Sequence, residues 1–260
     1  MKLLLLWALR CCAALATVLH VSEVSEVVRL SGGASRETFR FTADGQPLIL
    51  QRQRGGDIRN MGLEADVLRV AGAAGVPVAE LVASSTDPSV LGAAFMVLSA
   101  VDGETIARKI LRDDEFADAR RLLPAQLGVA LARIHRTDTS TLGGLTSDDQ
   151  IAMYRTVLDT SGHPHPTFEL AFRWLERNRP PLQRPTLVHG DFRLGNLMIG
   201  ADGLRAVLDW ELAHLGDPME DLGWLCVKAW RFGSPKPVAG VGDYRELIDA
   251  YAAESGLDVD

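Results

Sequence analysis

The stretch LVHGDFRLGNLMIGADGLRAVLDWE, from Leu187 to Glu211, constrains this chain more than any other. It places Asp191 and Asn196 with four residues between them, offers turn chemistry at Gly200–Gly203, and closes with the apolar run LRAVL ahead of Asp209. Read locally, this is a tight hairpin whose returning strand is buried and ends at Asp209. Such a hairpin brings Asp209 back beside Asn196. One carboxylate and one amide oxygen from different segments suit Mg²⁺, which takes few protein ligands when phosphates supply the rest. Asp191 is then left to act on a hydroxyl as a proton acceptor.

The spacing H-x-D-x-x-x-x-N, filled by His189, Asp191 and Asn196, is that of the protein-kinase catalytic loop. The competing reading is that these polar residues cap turns, which Asp and Asn do readily. A turn, a strand and a second Asp in the right order make the catalytic reading the more specific one.

The rest of the chain supplies a setting. Residues 27–51 alternate apolar and polar around the turn residues of Ala43–Gly45, as in an antiparallel hairpin. Met61–Gly75 has helical spacing and ends on Gly, with Pro77 beyond it. Ala93–Thr105 reads as a buried strand entering a turn, after which Ile106–Asp138 and Phe168–Asn178 are helical. Strands give way to helices near Val101. We therefore expect an N-terminal lobe over residues 1–100, preceded by a helix at 1–24, and a helical lobe over 101–260, with the ligand site in the cleft between them.

Composition narrows the partners. With 34 acidic against 27 basic residues, a net charge of -7 argues against a broad nucleic-acid surface. Cys11, Cys12 and Cys226 are too few for a disulfide framework and fit a reducing compartment, so a cytoplasmic protein is expected. The opening MKLLLLWALRCCAALATVLH is superficially similar to a secretory signal, but Arg10 interrupts its apolar run. An amphipathic helix is expected there, and no membrane association. His163 and His165, in a Pro-rich loop without a third ligand nearby, read as surface. His135 reads as a packed core histidine.

Together, LVHGDFRLGNLMI and VLDWELAHLGDPMEDLGWL resemble the core of the aminoglycoside phosphotransferase-like family of small-molecule kinases. Upstream, LSGGASRETFRF is similar to that family's phosphate-covering loop, GLEADVLRVAG to its helix with an ion-pairing Glu, and FMVLSAVDGET to its interlobe hinge. SGGASRET and DWELAHLGDP are most similar to the branch associated with acyl-CoA dehydrogenases. The resemblance implies an α+β, protein-kinase-like two-lobe fold and ATP-dependent phosphorylation of a small molecule's hydroxyl, a hydroxyacyl-type metabolite being favoured over an aminoglycoside. It implies Asp191 as the catalytic base and Asn196 and Asp209 as Mg²⁺ ligands. Gly32, Gly33 and Ser35 are then expected to approach the phosphates, and the backbones of Ser99 and Val101 to meet adenine. Asp217 and Asp221 are expected to be structural. Glu211 stays open between a role near the substrate and a surface position.

Two departures stand out. Kinases of this fold carry a Lys on the third strand that holds phosphates and pairs with the helix Glu. Here no lysine occurs from Leu3 to Arg108, and Gln51 occupies the position. Neighbouring Arg52, paired to Glu64, could take over only if the strand shifted or bulged, because adjacent strand residues face opposite ways. The alternative is a pseudokinase or nucleotide-binding scaffold without turnover. Second, the family's kinases continue with further helices beyond the point where this chain stops, so a shortened or partial member is expected.

Overall fold

The structure is a computed structural model, and it describes residues 2–30, 36–180 and 184–257. A helix, α1 (Lys2–Leu19), leads into β1 (Val24–Leu30), β2 (Arg36–Ala43) and β3 (Gln46–Gln53). The expected N-terminal helix thus stops short of residue 24. The Asp44 carboxylate, which accepts the backbone N–H groups of Ser22 and Glu23, ties the chain into the sheet instead. The β2–β3 turn puts Asp44 and Gly45 at φ 44° and 81°, the left-handed pair that matches the twist of a two-residue hairpin.

Next come α2 (Met61–Ala73), β4 (Leu81–Ser85), the short α3 (Pro88–Leu91) and β5 (Phe95–Ser99). Asn60 caps α2 by accepting from Leu63 N. The five strands form one antiparallel sheet in the order β1-β2-β3-β5-β4. Alternation sorts its two faces. Phe39, Phe41, Leu50, Phe95 and Val97 pack against Cys11 and Leu15 of α1. Arg36, Thr38, Gln51, Met96 and Leu98 face the other way, into a cleft.

The helical half contains α4 (Ala107–Arg112), α5 (Ala117–Arg136), α6 (Gln150–Ser161) and α7 (Pro166–Arg177). Then follow β6 (Thr186–Val188), β7 (Leu197–Gly200), β8 (Gly203–Val207) and β9 (His214–Gly216), with α8 (Met219–Leu225), a 3₁₀ turn at Lys228–Arg231 and α9 (Tyr244–Ser255). Helix α5 is the axis of the core. Leu123, Leu127, Leu131 and Ile134 are fully buried, and Gly128 lets α9 approach so closely that a Cβ there lies 3.0 Å from Tyr251 N. This core continues through Leu187, Phe192, Leu194 and Leu197 to Val67 and Leu68 of α2, so the segment leading into the β7–β8 hairpin is anchored in it from below. Among the described residues no helix is long and apolar enough to cross a membrane.

Candidate active site

The hairpin forms as read, with β7 and β8 antiparallel from Leu197↔Val207 to Gly200↔Gly203. One boundary differs. The strand ends at Val207, and Asp209 lies beyond it at φ 65°. A non-glycine residue held there is costly, by about 1–3 kcal/mol, and such positions concentrate where function needs them. The ladder is completed by Leu208 N donating to Asn196 O at 2.8 Å, which fixes Asp209 relative to Asn196.

Backbone bonds hold the H-G-D segment in place. His189 is fully buried; its Nε2 meets Leu208 O at 2.9 Å and its Nδ1 accepts from Asp191 N at 3.2 Å, so the ring's partners select the Nε2–H tautomer. Burial pushes the His189 pKa down and keeps the ring neutral. Gly190, at φ 81°, passes so close to Leu212 that a Cβ lies 2.7 Å from its carbonyl oxygen; no other residue fits. Behind the loop, the fully buried carboxylate of Asp221 accepts His189 N at 2.8 Å and Gly190 N at 3.0 Å, and meets His135 Nε2 at 3.3 Å. Burial raises the Asp221 pKa, but these bonds and His135 outweigh it and hold the group below the usual carboxylate range. His135 also meets Tyr251 Oη at 2.9 Å, deep in the core. Asp217 accepts from Met219 N at 2.9 Å at the start of α8.

Asp191 stands at the mouth of this arrangement. Its Oδ1 accepts from Trp224 Nε1 at 2.7 Å and Arg193 Nε at 3.0 Å, and its Oδ2 from Asn196 Nδ2 at 2.6 Å. The amide nitrogen of Asn196 is thereby committed to Asp191, which leaves its oxygen as an available ligand. Arg193 stacks 4.4 Å from the centre of the Trp230 ring, and the two indoles meet edge-on at 5.5 Å. Trp224 and Trp230 are therefore half-buried beside Asp191 and Arg193 and lie outside the core. Trp230 Nε1 is buried without a partner among the described residues.

Across the cleft, of about 700 Å³, the charges are arranged differently from expectation. Arg52 does not pair with Glu64. It lies on the opposite face of β3, bonded to Glu37 at 2.5 Å and to Leu91 O at 2.7 Å. The strand shows no bulge there, with β2 and β3 in continuous register from Arg36↔Gln53 to Ala43↔Gln46, so alternation keeps Arg52 out of the cleft. Glu64 is instead held by Arg36 of β2, which donates Nη1 to Glu64 Oε1 at 2.6 Å and Nη2 to Oε2. The pair is a fork-to-carboxylate contact in which both partners are nearly inaccessible, at 5% and 6% exposure. Burial pushes the Glu64 pKa up against the pull of Arg36. Gln51 faces the cleft and accepts from Arg36 Nη1 at 3.2 Å.

Glu211 is not on the surface. It joins Arg59 at 2.5 Å and Arg36 at 3.4 Å, linking the β3–α2 loop and β2 to the segment after β8. Asp209 lines the cleft and is exposed to it. The surrounding protein first, and repulsion from Glu211 second, raise its pKa above the ordinary value. The like charge of Glu211 beside Asp209 is one that a cation relieves.

Other expected positions fare variously. Gly32, Gly33 and Ser35 lie outside the described residues. Ser99 and Val101 do not line the cleft, whose apolar wall is Leu68, Ala79, Met96 and Leu98; the Ser99 N–H donates to Glu80 O. Among the described residues no group of three His, Cys, Asp or Glu side chains is placed for a metal. His163 and His165 are exposed. Sequence patterns alone do not single out Arg36, Arg59 or Arg193. For Arg36 a signal exists all the same: Phe39 and Phe41 must face the core, so period-two alternation turns Arg36 and Thr38 to the face of Gln51.

The model of the phosphotransferase enzyme family (APH) matches residues 26–257. Acyl-CoA dehydrogenase family member 10 of Mus musculus is 29% identical over 225 residues, 80% of this chain and 21% of that protein. Acyl-CoA dehydrogenase family member 11 of Gallus gallus is 30% identical over 216 residues, 76% of this chain and 27% of that protein. The chain thus spans about a fifth to a quarter of these relatives. Among solved structures, a provisionally assigned aminoglycoside phosphotransferase from Ralstonia eutropha superposes with a TM-score of 0.73 at 24% identity, covering 95% of this chain and 81% of that one. Spectinomycin phosphotransferase bound to ADP and spectinomycin superposes with a TM-score of 0.63 at 14% identity, covering 96% and 80%.

Proposed function

The chain belongs to the phosphotransferase enzyme family, and from that premise we propose that it transfers phosphate from ATP, with Mg²⁺, to a hydroxyl of a small molecule. The observation that carries this reading is that Asn196 and Asp209 line one side of the cleft and Asn196 is hydrogen-bonded to the carboxylate of Asp191 beside it. Asp191 is the base: its carboxylate is oriented by Trp224, Arg193 and Asn196 to accept the acceptor's proton. The residues fit Mg²⁺, since Asn196 presents an amide oxygen and Asp209 a carboxylate whose surroundings call for a cation. When bound, the ion neutralises charge on the transferring phosphoryl group. The protein's remaining contribution is to hold these groups in place, which the buried His189 and Asp221 network does.

A hydroxyacyl-type acceptor is favoured over an aminoglycoside. Curated relatives with the name of acyl-CoA dehydrogenase family members share this region, and Arg193 stands beside Asp191, where a polycationic antibiotic meets like charge. Trp230, stacked on Arg193, has a buried Nε1 donor without a partner among the described residues. A second reading, a nucleotide-binding scaffold without turnover, is favoured by one observation: Gln51 stands where the strand lysine is expected.

The test is ADP formation with Mg²⁺-ATP and a panel of hydroxy acids, hydroxyacyl thioesters and aminoglycosides. Acceptor-dependent turnover that disappears in Asp191→Asn supports the proposal. ATP binding without turnover on any acceptor, unchanged in Asp191→Asn, supports the scaffold.

A further inference from the structure

The missing lysine raises a question that the sheet answers. A phosphate-holding cation on this fold must lie on the cleft face of the sheet and must also pair with the carboxylate of the first-lobe helix. Strand β3 offers no cation meeting both conditions, because Gln51 is neutral and Arg52 lies on the opposite face, bonded to Glu37 and the Leu91 carbonyl. Strand β2 does. Arg36 faces the cleft, grips Glu64 with both terminal nitrogens, and lies within 3.2 Å of the Gln51 oxygen.

We propose that Arg36 has taken over, from the neighbouring strand, the task of the strand-three lysine, holding the phosphates of the bound nucleotide while Gln51 steadies it. The inference rests on the nucleotide reading above and goes beyond it in naming the cation. Three observations carry it. Arg36 is the guanidinium that Glu64 selects, so it inherits the partner that positions the usual lysine. It spans to the metal side as well, at 3.4 Å from Glu211, which follows Asp209 by two residues. Its Nε is buried and has no hydrogen-bond partner among the described residues, a donor left over on a side chain only 5% exposed that lines the cleft. Buried donors are normally satisfied, so an unpaired one on a side chain that lines a ligand cleft is a donor still to be matched by an acceptor oxygen. A phosphate supplies acceptor oxygens in the geometry a guanidinium matches best.

The guanidinium has five N–H groups in a planar fork, so it can grip both oxygens of Glu64, donate to Gln51 and still keep a donor for phosphate, which suits the residue type to the position.

The experiment compares ATP and adenosine binding by calorimetry on the full chain, in the presence of Mg²⁺, for wild type, Arg36→Gln, Arg36→Gln/Gln51→Lys, and Arg52→Gln. Thermal unfolding of each variant checks that it is folded. We expect Arg36→Gln to weaken ATP roughly tenfold or more while leaving adenosine unchanged, because a charged hydrogen bond to phosphate is lost and the base contacts are not. Returning a lysine to β3 in the double variant should restore most of that loss, and Arg52→Gln should leave the ATP-to-adenosine ratio as in wild type. A folded Arg36→Gln with an unchanged ratio overturns the inference and leaves the nucleotide reading standing. If Arg36→Gln does not fold, the double variant decides, since restored folding with a wild-type ratio supports the relocation and restored folding without ATP preference overturns it. A folded wild type with no preference for ATP over adenosine overturns both.

Discussion

The two walls of the cleft hold their charges by different means. On the helical wall, the main chain of His189 and Gly190 is tied to the carboxylate of Asp221 beneath it and the Asn196 amide to the Asp191 carbonyl, and on that fixed loop the Asp191 carboxylate is oriented by Trp224, Arg193 and Asn196. On the sheet wall, Arg36 is held by side chains from another strand and from α2. The first arrangement depends on spacing and cannot drift: moving Asn196 by one position breaks the ladder bond from Leu208. The second asks only that a cation stand on the correct face within reach of Glu64. A pleated sheet offers several such positions, so the cation can change strands while the site survives.

The comparison can be broken first at its strongest point. Asp191→Asn should lower turnover by roughly 100- to 10,000-fold with little change in unfolding temperature, as measured by steady-state ADP release. Next in size, Asp221→Ala strips the acceptor from two loop N–H groups and from His135, and chemical denaturation should show a loss of about 3–5 kcal/mol. On the sheet wall the corresponding change, Glu64→Gln, should cost less, about 1–3 kcal/mol, because the amide keeps one acceptor for Arg36. If Glu64→Gln costs more than Asp221→Ala, the sheet wall is the rigid one and the comparison is reversed. Smaller still, Glu211→Gln loosens the link between Arg59 and the segment after β8; with Arg59 37% exposed, about 0.5 kcal/mol is expected.

The smallest test is in pH. His189 has a lowered pKa in the fold, so its unfolded form binds the extra proton and it contributes a loss of stability as pH falls below the ordinary histidine value of about 6.5. His214 runs the other way. Burial opposes its charge, but Glu220 and the Leu212 carbonyl outweigh that and raise its pKa; its contribution is present below about 6.5 and lost as pH rises through the folded value. In His214→Gln only the His189 effect remains, so the decline of stability on acidification should steepen. An unchanged slope in denaturant titrations from pH 8 to 5 contradicts these assignments.

The difference between the walls also explains which features are legible in the amino-acid sequence. The H-G-D segment, Asn196, the turn and Asp209 can be read there because hydrogen-bonded turns and hairpins are short-range, and so can the helices at Met61 and Ala117 and the hairpin around Asp44. The partner of Glu64 cannot. Alternation puts Arg36 on the cleft face, but its meeting with Glu64 is a contact between β2 and α2, 28 residues apart in the chain, which no local pattern encodes. Glu211 is ambiguous for a related reason: the two-residue rule assumes a strand, and the left-handed backbone at Asp209 ends it. The placing of Trp224 and Trp230 beside Asp191 and Arg193 rests on packing between α8, the 3₁₀ turn and the H-G-D loop, which no local pattern encodes.

The most direct measurement of the central claim is calorimetric titration of ATP into wild type and Asp209→Ala, each with and without Mg²⁺. The account predicts binding by wild type that requires Mg²⁺, and loss of that metal-dependent part in a folded Asp209→Ala. A folded wild type that binds no ATP, or binding indifferent both to Mg²⁺ and to Asp209, contradicts it.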